Sequence, residues 1–152
     1  MTTHKLTAIE HSPYLQEAYT SPWNYGFTSL TRWFSARYQA SDAIGKTKRP
    51  HQDKIRFGQH PTLAFSPREI ANIRLQDGKL KIEHYGLGLW GANGPLPLHY
   101  SEIAMHRKEM VHDQTLTNFV DIFHHRSISL FYRAWAINQS TAGIDNPNDE
   151  RF

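Results

Sequence analysis

From Leu116 to Ala134 the apolar residues of this chain return at nearly every third or fourth position. Leu116, Phe119, Val120, Phe123, Leu130, Phe131 and Ala134 fall on i, i+3, i+4, i+7 and its continuation, which is the stripe of one long helix. The stretch Asp121 to Trp135 carries a second signal. His124, His125, Arg126 and Arg133 are interleaved with the stripe, and Tyr132 and Trp135 widen the apolar sector beyond it. A helix apolar on more than one side has to pack against more than its own domain. Asp113 or Thr115 is the expected cap, and Asn138 the approximate end. At 1.5 Å per residue the helix spans about 36 Å.

Before it, the pattern alternates between helix and strand. Ser12-Pro13 starts a short helix over Tyr14 to Tyr19, since proline suits a first helical turn. Phe27, Leu30, Phe34 and Tyr38 follow helical spacing, with Thr28 or Asn24 as cap and an end before Ser41. Residues 41 to 54 read as a loop. Ile55-Arg56-Phe57 alternates like a strand, His60-Pro61 interrupts it, and Leu63-Ala64-Phe65 resumes it. Ser66 to Ile70 reads as a helical turn with a capping box. Asp77-Gly78 lies between two alternating runs, Ile73 to Leu75 and Leu80 to Tyr85, a strong hairpin signal. A Gly/Pro loop from Gly86 to Pro97 leads into a helix opening near Tyr100. The fold class expected is α+β: early helix, small antiparallel sheet, Gly/Pro loop, long C-terminal helix. Residues 1–22 read as an N-terminal segment, 23–139 as the domain, and 140–152 as a polar tail expected to be disordered.

Composition narrows the function classes. Hydrophobic residues make up 39%, a low share that 12% aromatics partly offset, so the chain leans on partners for part of its burial. The net charge of +3 is too mild to imply nucleic acid. Lys46, Lys48, Arg49 and Lys54 cluster without interleaved aromatics, so they read as a solvated linker rather than a stacking platform. Absence of cysteine excludes disulfides, thiol catalysis and Cys-ligated zinc. No apolar run approaches the ~20 residues of a membrane span, and no signal peptide is visible. The expectation is a cytoplasmic protein with no direct membrane insertion and no nucleic acid.

Motifs that carry chemistry are weak. Gly86-Leu87-Gly88-Leu89-Trp90-Gly91 matches G-x-G-x-x-G, but Pro95 and Pro97 oppose the helix start that a pyrophosphate needs. The loop reads instead as conformational: glycines permit positive φ, and the prolines hold an extended segment. It presents Trp90, Leu96 and Leu98 as rigid pegs, either for this domain's core or for a neighbour. Ten histidines invite a metal. Yet adjacent His124 and His125 point about 100° apart on a helix, and there is no H-E-x-x-H. They read as hydrogen-bonding or interface rings. Glu102, Glu109, Asp113 and Asp121 read as capping and solubilising charges. No catalytic residue, cofactor or metal is assigned. A small histidine-using hydrolase or metal enzyme is the alternative. Arg126 and Arg133, seven apart on one helix face, read either as solvated or as packed against carboxylates or rings.

Three segments, in order, resemble the TssG family (VasB or ImpH) of type VI secretion baseplates. They are Ile55-Arg56-Phe57-Gly58-Gln59 with Leu63-Ala64-Phe65-Ser66-Pro67, the Gly94-Pro95-Leu96-Pro97-Leu98 loop, and His125-Arg126 with Leu130-Phe131-Tyr132-Arg133-Ala134-Trp135. The family's chains are longer, so this one resembles an N-terminal portion. The resemblance implies a scaffold and no enzyme. It implies association with two copies of a TssF-like subunit in a wedge, with a TssK-like adaptor through loops beyond residue 152, and with the spike hub. It places the protein at the inner-membrane complex of a Gram-negative bacterium. It also favours a packed role for Arg126 and Arg133. The interface candidates are Trp90, Leu96, Leu98, Phe119, Phe123, His124, His125, Arg126, Phe131, Arg133 and Trp135.

Overall fold

The long helix is where the periodicity places it. In the computed structural model, which describes residues 12–38, 43–49, 52–76, 78–139 and 141–142, it runs Thr115–Asn138 (α4). The N-cap is Gln114, with no side-chain cap hydrogen bond, rather than Asp113 or Thr115; Asp113, one residue earlier, accepts the Thr115 N–H at 2.9 Å. Hydrogen bonds from Thr115, then from Arg107, hold the Asp113 carboxyl down at about 2. The other helices are α1 (Pro13–Thr20), α2 (Phe27–Tyr38) and α3 (Leu98–Glu109). The strands are β1 (Ile55–Gln59), β2 (Ile70–Gln76) and β3 (Lys79–His84).

The class is α+β, as expected, but the sheet is mixed rather than antiparallel. Its order is β1-β3-β2. β2 and β3 form the expected hairpin, with Gln76 opposite Lys79 and Gly78 at φ 69° in the turn. β1 lies parallel to β3, Ile55 opposite Leu80 and Gln59 opposite His84. The connection 60–69 contains Pro61 and Pro67, and instead of folding straight back it delivers β2 to the far side of β3. Leu63 to Phe65 therefore does not resume a strand, and Phe65 is exposed. Pro67 to Glu69 makes bends, and Ser66 to Ile70 forms no helical turn. The Glu69 carboxylate caps a different helix: it accepts the Phe27 N–H at 2.6 Å, where Thr28 or Asn24 was expected to act.

Two apolar clusters hold the elements together. The main one joins Leu15 and Ala18 of α1, Phe27, Leu30 and Phe34 of α2, the inward residues of all three strands, and Ile128 and Tyr132 of α4. The second joins Trp90, Ala104 of α3 and Val120 of α4. The long helix thus closes one core with its C-terminal half and another with its N-terminal half. The expected disordered tail from Ser140 lies outside the described residues apart from 141–142.

Candidate functional site: a polar seam and an apolar outer face on the long helix

β1 is an edge strand. Lys54 O accepts from Leu80 N–H and His60 N–H donates to His84 O, so the backbone groups of alternate residues face β3. The N–H groups of Phe57 and Gln59 point the other way. An edge left so would expose unpaired donors. α4 covers it with side chains. His125 Nδ1 accepts from Phe57 N–H at 3.3 Å, and Asp121 Oδ1 accepts from Gln59 N–H at 3.2 Å. Four helix residues rise about 6 Å and two strand residues about 6.6 Å, so an i, i+4 pair matches alternate strand donors. Gly58 lets the two elements close. A β-carbon there would sit 2.8 Å from the Asp121 carboxyl carbon.

The seam fixes the histidine tautomers. His124 Nε2 accepts from Leu89 N–H at 2.9 Å, so the proton resides on Nδ1 and is donated to Asp121 Oδ1 at 3.0 Å. His125 Nδ1 is taken by Phe57, so Nε2–H donates to Asp53 Oδ2 at 2.8 Å. Asp53 also accepts the Thr47 hydroxyl at 2.7 Å. Burial pushes the His125 pKa down against the pull of Asp53. Asp121 Oδ2 lies 2.9 Å from Lys81 Nζ. Burial raises the Asp121 carboxyl, but His124, Lys81 and the Gln59 N–H outweigh it and hold it below the ordinary range. Glu83 is likewise buried and held low, its desolvation outweighed by Lys108, Arg74 and Lys81. The next histidine, His84, is pushed down to about 4 by burial and then by His124.

The Gly/Pro loop is pinned to this seam. Gln59 Oε1 accepts from Trp90 N–H at 2.8 Å, and its amide donates to Trp90 O at 2.9 Å and Tyr85 O at 3.0 Å. Gly91 takes φ 91° and donates to Ser101 Oγ at 2.9 Å. The strand-to-loop connection therefore serves packing, in keeping with the reading of the glycine motif as conformational.

The opposite face of α4 is the reverse in character. Phe119, Ile122 and Phe123 are exposed by 59%, 61% and 55%, and Leu130, Phe131 and Ile137 are exposed beside them. Phe119 and Phe123 meet edge to face at 5.8 Å. Phe123 and Phe131, with Leu87 and Leu89, line an apolar cleft of about 350 Å³.

The predicted residues therefore separate into groups. Phe119, Phe123 and Phe131 share the outer face, with Leu98 exposed on α3. Trp90 is buried and Leu96 packs against it, so two of the three loop pegs enter this domain's own core. His124 and His125 are buried in the seam. Arg126 and Arg133 reach to the 45–47 turn, donating to Thr47 O at 3.4 Å and Gly45 O at 3.3 Å. Trp135 is half-buried, its ring 5.6 Å from that of Tyr132. Sequence reasoning missed Asp121, Gln59, Asp53 and Gly58. Asp121 was read as a solubilising charge and is a buried seam residue instead. Its signal was the i, i+4 spacing to His125 inside an apolar stripe.

Among the described residues no group of three or more His, Cys, Asp or Glu is arranged to hold a metal ion, and no helix is long and apolar enough to cross a membrane. A family model described as "Type VI secretion, TssG" matches residues 21–152. No curated protein and no solved structure matches the chain.

Proposed function

The chain belongs to the TssG family of the type VI secretion baseplate, and from that premise we propose that it is a scaffold whose α4 outer face docks a TssF-like subunit. One observation carries this reading. The helix leaves Phe119, Ile122, Phe123 and Phe131 exposed on the face away from the seam, where no described residue buries them. Aromatics of this kind are enriched in interface cores. Leu98 and Trp135 extend the candidate surface, and Arg126 and Arg133 brace its edge. By the family resemblance, two TssF-like copies join each wedge around the spike hub, on the cytoplasmic side of the inner-membrane complex.

The protein acts by positioning others and catalyses nothing in this reading. TssG is a structural family. The hydrolase alternative finds no support in His124 or His125, whose ring nitrogens are all engaged in the seam. Co-expression with each partner and size-exclusion chromatography tests the proposal. Co-elution with the TssF-like subunit, lost on Phe123→Ser/Phe131→Ser, is expected. Strong adaptor binding without the TssF-like subunit would reverse the assignment.

A further inference from the structure

Next to the seam a short turn gathers positive charge on the surface of α4. Residues 43–49 read in the sequence as part of a loop and a solvated linker, but they pack on the helix. Lys46 N–H donates to Ala43 O at 2.9 Å and closes the turn. Gly45 takes φ 82°, and a β-carbon on it would sit 2.7 Å from the Ser129 carbonyl oxygen of α4. From the helix, Arg133 donates to Gly45 O at 3.3 Å and Arg126 to Thr47 O at 3.4 Å. The Thr47 hydroxyl donates to Asp53, which also accepts from His125 of the seam. The turn is therefore held by its backbone and by Thr47, and its long side chains take no part in anchoring it.

Those side chains are Lys46, Lys48 and Arg49, all exposed. Lys46 lies between the two carbonyls that Arg133 and Arg126 hold, so the cations of the turn and of the helix meet along one edge. The guanidinium bonds go to neutral carbonyls. Among the described residues Lys46, Lys48, Arg49, Arg126 and Arg133 form no ion pair. Asp53, the acid beside them, has its two oxygens engaged by Thr47 and His125. Like charges gathered in this way repel one another, and an anionic surface laid over them relieves the repulsion. Leu130 ties the edge to the apolar outer face. It is exposed, and it lies four residues after Arg126 and three before Arg133, on the same side of the helix.

We infer that this basic edge takes carboxylate side chains from an acidic stretch of the subunit that docks on α4, as the charged rim of that interface. The inference rests on the docking role proposed above, because Leu130 joins the edge to the docking face. Interfaces place apolar residues at the centre and charged ones at the rim, where the charges steer encounter and fix register. A guanidinium offers the planar donor pair that a carboxylate accepts, and Arg126 and Arg133 are already held in place by the turn. Two other anionic partners fit less well. A bilayer surface takes a helix with one continuous apolar face, and Asn118 and Ser127 interrupt this one. A single-stranded nucleic acid needs rings to stack on, and residues 43–49 contain none.

Two arms test it. Lys46→Gln/Lys48→Gln/Arg49→Gln removes three exposed charges without touching the seam, so its melting temperature should match the parent's. In the first arm the TssF-like subunit is titrated onto the chain at rising salt. The triple variant should bind at least about tenfold more weakly at low salt and show a flatter salt dependence. Lys48→Glu, a single reversal, should move affinity the same way. If Phe123→Ser abolishes binding and the triple variant binds as the parent does, the docking reading stands and the edge inference fails. If the triple variant alone weakens binding, the edge recognises the subunit and the apolar docking reading fails. If neither variant alters binding, or the subunit does not bind, both fail. In the second arm amide NMR spectra of the chain are followed with three probes: an acetylated peptide alternating glutamate and leucine, oligothymidylate of equal charge, and phosphatidylserine vesicles. Shifts at Lys46, Lys48 and Arg126 are expected with the peptide and should vanish in the triple variant. No shift with the peptide, or a tighter response to oligothymidylate or to vesicles, would overturn the assignment to carboxylates.

Discussion

The two faces of α4 each depart from those of a simple amphipathic helix. Its inner face buries Thr117, Asp121, His124, His125 and Ser129 beside the core residues Val120, Ile128 and Tyr132, while its outer face exposes Phe119, Ile122, Phe123, Leu130 and Phe131 beside Asn118, Arg126 and Ser127. The inner face carries polar residues because of what part of it meets. An edge strand presents backbone donors rather than side chains, and only acceptors can satisfy them. Among the described residues none buries the apolar side chains of the outer face. The contrast separates two parts of one helix: buried polar residues help hold the fold beside the apolar core, and a set of apolar residues is left exposed.

The comparison breaks first at Asp121. Asp121→Ala leaves the His124 Nδ1–H and the Gln59 N–H without their acceptor and takes from the Lys81 ammonium the nearer of its two carboxylates. Removing one partner of a buried ion pair costs about 3–5 kcal/mol. Chemical denaturation should show a loss of that order, or an unfolded protein. A loss under about 1 kcal/mol would mean that the seam is solvated and that the inner face holds little.

Acid acts more gently, and through β3. His84 titrates at about 4 in the fold and at 6.5 when free, so between those values the unfolded chain binds the extra proton. Stability is therefore full above about pH 7, falls as pH drops through the window from 6.5 to 4, and gains no further loss from this group below it. The shift corresponds to on the order of 3 kcal/mol. His125 and His60, also lowered chiefly by burial, add in the same direction. Urea melts at stepped pH measure the slope. His84→Gln keeps an acceptor for the Leu87 N–H, which His84 Nδ1 accepts at 3.0 Å, but cannot titrate, and should flatten that slope.

What could be read from the sequence follows the same division. Thr115–Asn138 and the β2–β3 hairpin were legible because periodicity and Asp-Gly turn chemistry are local. The parallel β1–β3 pairing was not, since no residue in Ile55 to Gln59 encodes which edge it joins. Nor was the cap of α2, supplied by a carboxylate 42 residues away. In the candidate site the outer aromatics were visible as an oversized apolar sector. Asp121 was not, because a carboxylate that serves the backbone of another strand looks, in sequence, like any surface charge. Gly58 was silent for a related reason. Its importance lies in the missing β-carbon, and only the approach of α4 gives that meaning.

The smallest expected effect on stability belongs to the outer face, and it sharpens the comparison most. Phe119→Ser and Phe123→Ser each remove a ring that is already more than half in water. The burial lost is small, and the edge-to-face contact between them contributes about 0.5–1.5 kcal/mol at most in well-packed settings. Exposed positions away from special features usually change stability by less than about 0.5 kcal/mol. The double variant should therefore melt within a few degrees of the parent, and its solubility should rise as an exposed apolar patch is removed. Binding to the TssF-like subunit should fall by at least tenfold, because a ring near the centre of an interface is worth more than about 1.4 kcal/mol there. Loss of folding without loss of binding would show that these rings serve the core after all. Loss of neither would leave these outer rings with no role in folding or in assembly.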